Sequence, residues 1–165
     1  MFNSLEALEK NGFKGFVSVK DLCNDRGCIP KKMGVYFVVL PVQHKVVFME
    51  NNPAGFRGGR NPTVSIEELE QNWVPDTLVL YIGKAGAPNK KSTLETRINC
   101  YLKHGMGDDN AAHWGGRIIW QLKDSKNLLF CWKLSENTIP HDDEQNFIKS
   151  FKDIYKNRPF ANLRG

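Results

Sequence analysis

Two runs in this chain are apolar at nearly every position, and each carries a tyrosine close to a glycine. Gly34-Val35-Tyr36-Phe37-Val38-Val39-Leu40 lies between Lys31-Lys32 and Pro41, and Leu78-Val79-Leu80-Tyr81-Ile82 stops at Gly83. β-Branched and aromatic residues at strand length, bounded by turn residues, predict buried strands. Any fold for the chain has to cover them.

The remaining segments predict mixed elements. Met1 to Lys10 reads as an amphipathic helix, and Lys45-Val46-Val47-Phe48-Met49 as a further strand. The Gly/Asn/Pro/Arg stretch from Asn51 to Pro62 predicts an exposed loop. Ser65 caps a short helix from Ile66 to Trp73, with Glu67 and Glu68 in its first turn. After the turn from Gly83 to Lys91, a helix runs from Thr93 to His104 and stops at Gly105. Arg117 to Leu122 has an ambiguous period, Asn127 to Leu134 predicts a strand, and Asp142-Asp143 open a last helix that ends before Pro159. Strands and helices without regular βαβ alternation favour α+β over a doubly wound sheet.

At 165 residues, 41% apolar and 25% charged, the sequence predicts one soluble domain with a single core. It comprises an extension over residues 1–32 and a loop-rich insertion over 41–77. No run is long enough to cross a bilayer. The start has neither a basic n-region nor an apolar h-region, so the expected compartment is the cytoplasm, with no membrane partner. Residues 1–80 balance Lys/Arg against Asp/Glu, so the net charge of +5 comes from the second half. That asymmetry suggests a polyanionic partner, or simply a solvated lysine-rich face. Cys23, Cys28, Cys100 and Cys131 lack the close pairing of a zinc site.

Polar residues also stand where apolar ones are expected. Phe147, Ile148, Phe151, Ile154 and Tyr155 fall on one stripe of the last helix, and Glu144 lies near its centre. A carboxylate on that side needs a cation, a set of donors or a metal ion, unless it frays into solvent at a helix start. In the Thr93–His104 helix, Arg97 and His104 flank the stripe formed by Leu94, Ile98, Tyr101 and Leu102. The pair either faces a cleft, or Arg97 lies along the surface on a packed stem.

Taken in order, these residues resemble the GIY-YIG nuclease family. Gly34-Val35-Tyr36 and Tyr81-Ile82-Gly83 match the two halves of its name. Leu94-Glu95-Thr96-Arg97 matches its helix arginine, Glu144 its metal-binding glutamate, and Pro159-Phe160-Ala161-Asn162 its terminal asparagine. Tyr101 is similar to a tyrosine carried by repair-type members. The resemblance spans roughly residues 33–163 and implies a small, mainly antiparallel three-stranded sheet flanked by helices.

It also implies single-metal phosphodiester hydrolysis of DNA. Glu144 would hold one Mg²⁺ or Mn²⁺, and Arg97 would clamp a phosphate oxygen. Tyr36 would deprotonate or orient the attacking water, with Tyr81 beside it and Arg97, the metal or Lys84 supplying a cation. His113 and His104 are rival candidates for a histidine in the site, while His44 and His141 read as surface residues. Tyr101, Asn162 and Gly83 would contact or organise substrate. Arg57, Arg60, Lys90 and Lys91, with Lys84, could track a DNA backbone.

The chain departs from the family pattern in spacing, with 44 residues between Tyr36 and Tyr81, as in some restriction-type members. No separate target-reading module is evident, so specificity would come from the insertion, a homodimer or a partner. Two other readings stay open on the same fold. One is a DNA-binding module without turnover, and the other is a protein-interaction domain.

Overall fold

The computed structural model describes residues 1–87, 91–111 and 113–163. The two apolar runs form β2 (Gly34–Val39) and β3 (Val79–Ala85), buried throughout except at Lys84. They pair antiparallel, with Tyr36 opposite Gly83 and Val38 opposite Tyr81. On its other side β2 pairs antiparallel with β4 (Leu129–Leu134), and β4 with β1 (Lys14–Ser18). The fold is therefore α+β as expected, but the sheet has four strands in the order β1-β4-β2-β3 instead of three.

The unexpected strand lies within residues 1–32. Its hydrophobic alternation is broken by a bulge: register shifts between Gly15 and Val17, and Phe16 takes a positive φ of 56°. A bulge removes the period-2 signature by which strands are read. Those first residues are also core, since Phe2, Leu8, Phe13, Val19, Leu22 and Ile29 are buried in the same cluster as β2 and β3. They include α1 (Leu5–Lys10), capped by Ser4, and α2 (Val19–Asn24), capped by Ser18.

Strand alternation sends neighbouring aromatics to opposite faces. Phe37 meets Phe2, Phe13 and Phe147, the last from α5 (Pro140–Tyr155). Tyr36 meets Phe130 and Tyr101, the latter from α4 (Leu94–Gly105). Thr93 opens α4 with a capping box, its hydroxyl accepting from Thr96 N and its own N–H donating to Thr96 Oγ1. Helix α5 begins earlier than expected because Pro140, whose missing N–H has no role there, occupies its first turn. Ile154 falls off the expected stripe and is 57% exposed, while Phe147, Ile148, Phe151 and Tyr155 pack inward.

The 41–77 segment does not supply the expected strand at Lys45–Met49. Phe48 makes one isolated bridge to Leu122, at the end of a 3-10 helix over Arg117–Gln121. The buried Gln121 side chain takes over the hydrogen bonding: Nε2 donates to Met49 O and Val64 O at 2.8 Å each, and Oε1 accepts from Val64 N at 3.1 Å. Beyond it, α3 (Ile66–Asn72) is capped by Ser65, as the sequence predicts. Among the described residues, no helix is long and apolar enough to cross a membrane.

Candidate active site

Register brings the first two tyrosines together. Tyr36 and Tyr81 sit on one sheet face with ring centroids 6.0 Å apart, and Tyr101 lies 6.4 Å from the first and 5.4 Å from the second. Gly83 makes this possible: a Cβ there would stand 2.6 Å from Tyr36 Cζ and 2.8 Å from Tyr81 Cε1. The two phenols differ in access. Tyr81 lines an open cleft of about 510 Å³, whereas Tyr36 is wholly buried behind it.

Arg97 and Glu144 act on both phenols. Burial pushes the Tyr36 hydroxyl well above its ordinary range, with Tyr81 and Glu144 adding to the rise and the Arg97 guanidinium opposing it. The Tyr81 hydroxyl is pushed up to about 12, again first by burial, then by Glu144 and against Arg97. Desolvation outweighs the cation, so at neutral pH both phenols are protonated donors. Four side chains from β2, β3, α4 and α5 thus share one electrostatic environment.

Glu144 faces the cleft just beyond the first turn of α5, and its side chain is 15% exposed. It is stabilised there by Lys84, whose Nζ lies 2.9 Å from Glu144 Oε2 and also donates to His141 Nδ1. The carboxylate therefore has a cation partner, one of the alternatives that its stripe position left open. No group of three or more His, Cys, Asp or Glu side chains gathers for a metal among the described residues. A carboxylate on an open cleft still fits Mg²⁺, which keeps several waters and takes one or two carboxylates plus substrate phosphate.

The other expected site residues separate into distinct groups. Asn162 lines the cleft, but both ends of its amide hold Ile82: Oδ1 accepts from Ile82 N at 2.9 Å and Nδ2 donates to Ile82 O at 2.8 Å. It closes the edge of β3 as another strand would. Tyr101 is fully buried, its hydroxyl donating to Gly116 O, so it fixes a cleft-lining turn and has no exposed oxygen to offer substrate.

His113 stacks on Tyr101 at 4.0 Å between centroids and approaches Tyr81 at 6.4 Å, wholly buried. Burial, then the Arg97 charge, holds its pKa well below 6.5, so the ring is neutral. His104 is not brought to the cleft. It is buried with Nε2 2.8 Å from Gly55 O, and burial again lowers its pKa. His141, read as a surface residue, is exposed yet touches the Lys84–Glu144 pair.

Among the basic residues, Arg60 lines the cleft. Arg57 stands at the other end of its two-residue turn, and the turn's central residues, Gly58 and Gly59, take positive φ of 56° and 74°. Lys91 lies in a separate groove with Lys31 and Lys32. Lys90 falls outside the described residues.

Sequence reasoning missed Trp114 and Arg117. Both line the cleft, and the Arg117 and Arg60 guanidinium carbons lie 4.6 Å and 5.0 Å from the Trp114 ring centroid. Such contacts contribute about 0.5–2 kcal/mol each, depending on desolvation. The usable signal was the aromatic-glycine-arginine run Trp114-Gly115-Gly116-Arg117. Glu68 and Gln145 complete the polar lining. Searches of protein-family models, curated proteins and solved structures find no match for this chain.

Proposed function

We propose that this chain is a metal-dependent DNA endonuclease that hydrolyses phosphodiester bonds with a single divalent ion, in the manner of the GIY-YIG nucleases it resembles. The observation that carries this reading is that Tyr36, Tyr81, Arg97 and Glu144, from four separate elements, share one electrostatic cluster of which Tyr81 and Glu144 line a cleft. Glu144 would hold Mg²⁺ or Mn²⁺, which when bound neutralises charge on the scissile phosphate and the leaving oxygen.

The protein's own groups take the remaining tasks. Tyr81 is the phenol at the cleft, so it donates to a phosphate oxygen or orients the attacking water. Tyr36 lies behind it and sets its position and acidity. Deprotonating either phenol requires more positive charge than Arg97 alone provides, because burial dominates both groups. Arg97 offsets negative charge that builds on the phosphate in the transition state. Lys84 orients the Glu144 carboxylate through their ion pair.

A second reading is a DNA-binding module without turnover. It is favoured by the ion pair that Lys84 makes with Glu144 and by the complete burial of Tyr36.

The test is digestion of varied DNA, including structured and modified substrates, with Mg²⁺ or Mn²⁺. Cleavage that disappears in folded Glu144→Ala and Arg97→Ala variants supports the nuclease. DNA binding with a steep salt dependence and no metal-dependent product supports the binding module. Failure to bind any nucleic acid at low salt removes both.

A further inference from the structure

Two arginines gather on one indole in the cleft lining, and Arg60 brings a charge with no ion-pair partner among the described residues. Arg60 comes from the 41–77 insertion and Arg117 from the start of the 3-10 helix, and both guanidinium groups lie over Trp114. Tyr81 and Glu144 line the same cleft. Arg60 makes no ion pair among the described residues, although Glu68 lies on the same lining.

The loop that delivers Arg60 is held at several points. Gly55 and His104 exchange two hydrogen bonds, Gly55 N donating to His104 O and His104 Nε2 pairing with Gly55 O, both at 2.8 Å. Phe56 N donates to Asp109 Oδ1 at 2.7 Å, and the buried Asn52 side chain donates to Arg117 O at 3.0 Å. The Asn52 bond ties the start of the 51–62 loop directly to the backbone of the second arginine. A cation pair fixed this way binds an anion with little reorganisation.

We infer that Arg60, Arg117 and Trp114 form a second phosphate subsite, which holds a backbone phosphodiester neighbouring the one at Tyr81 and Glu144. This rests on the nucleic-acid reading of the cleft. The planar, five-donor guanidinium suits phosphate oxygens, and the indole fixes the plane in which each fork is presented. The insertion is then part of the substrate site, and His104, Asn52 and Asp109 are positioning residues for its arginine.

The experiment is fluorescence anisotropy of the full chain on labelled mixed-sequence duplex DNA without divalent metal, across a salt series, beside cleavage assays with Mg²⁺. Arg60→Gln is expected to weaken binding about tenfold at low salt. It should also flatten the slope of log K against log salt by roughly 0.9, the release expected for one lost phosphate contact. Arg60→Lys keeps the slope but binds several-fold more weakly, because a point charge does not reproduce the stacked fork. Lys126→Gln, at an exposed lysine outside the cleft lining, changes neither quantity.

A wild-type chain that cleaves DNA, with Arg60→Gln indistinguishable from Lys126→Gln in affinity and slope, overturns the subsite and leaves the nuclease reading standing. Equal affinity of Arg60→Lys and wild type overturns the role of the indole. Binding that depends on Arg60 without any metal-dependent product keeps the subsite and removes the nuclease. No binding by any form removes both.

Discussion

Tyr81 and Glu144 reach the cleft from β3 and α5, elements placed by strand register and by an apolar helix face. Arg60 and Trp114 reach it from loops and Arg117 from the first residue of a 3-10 helix, in segments held by buried polar side chains that grip backbone. The first wall is set by packing, and a small change in volume disturbs it. The second is set by a few hydrogen bonds, and deleting one frees a whole segment. Substitutions on the two walls should therefore fail in different ways.

The largest effect is expected at Gly83. An added methyl would press against both the Tyr36 and Tyr81 rings, with carbon contacts of 2.6 Å and 2.8 Å that neither buried ring can relieve by rotating away. Gly83→Ala should destabilise the fold by about 1–3 kcal/mol, as overpacking does. It should also reduce any cleavage by about 10²-fold or more, because displacement of a reacting group by about 1 Å has that effect. Denaturant melts and turnover measured on the same preparation check it. Wild-type values for both would show that the tyrosine pair tolerates movement.

On the second wall, Gln121→Leu is the sharpest probe. The substitution keeps approximate size but leaves Met49 O, Val64 O and Val64 N without their side-chain partner in a segment that has no ladder of its own. A stability loss of about 2–3 kcal/mol is expected from buried groups left unsatisfied. Proteolysis should fall within residues 41–64 before any cut in the sheet. Uniform loss of protection across the chain would mean that the two walls unfold together.

This contrast also explains what could be read from the chain. β2, β3, α3 and α4 were legible because each has an uninterrupted pattern or a side-chain cap, as at Ser65 and Thr93. Tyr36, Tyr81, Arg97 and Glu144 were legible as a set only through order along the chain, since spacing says nothing about convergence. β1 was not, because its bulge breaks alternation. His104 could be seen as a histidine on a helix flank. Its partner, Gly55 O, lies 49 positions away and leaves no local trace. Gln121 and Asn52 looked like ordinary polar residues because their function is to bond backbone that is remote in sequence. His141 was dismissed because a ring on the surface and a ring touching the Lys84–Glu144 pair have the same local sequence.

Acid should expose the two buried neutral histidines. His113 and His104 are both held below their ordinary value of 6.5 by burial, so the unfolded chain binds more protons than the folded one as pH falls. Stability is retained above 6.5 and lost as pH drops from there toward the lower folded values. His113→Phe should flatten this part of the profile, since a phenyl ring fills the same buried place without a titratable nitrogen. Melting temperature against pH for the two forms gives the comparison, and parallel curves would assign the acid loss to other groups.

The smallest stability effect is expected at Lys84, although it holds the carboxylate that the proposed chemistry requires. Its side chain is 33% exposed and that of Glu144 15%, so water screens the pair from one side and the net contribution should be about 1 kcal/mol or less. Lys84→Gln should therefore melt within a few degrees of wild type. Glu144→Gln should be similarly mild for the fold while abolishing cleavage, because the amide cannot supply the negative charge that a divalent ion needs. Removal of Lys84 should also change the Mn²⁺ concentration giving half-maximal cleavage, since Lys84 and a divalent ion would compete for the same Glu144 carboxylate. If the two variants each lost several kcal/mol, the ion pair would be a structural element like Gln121, and the packed wall would depend on polar anchoring as much as its neighbour does.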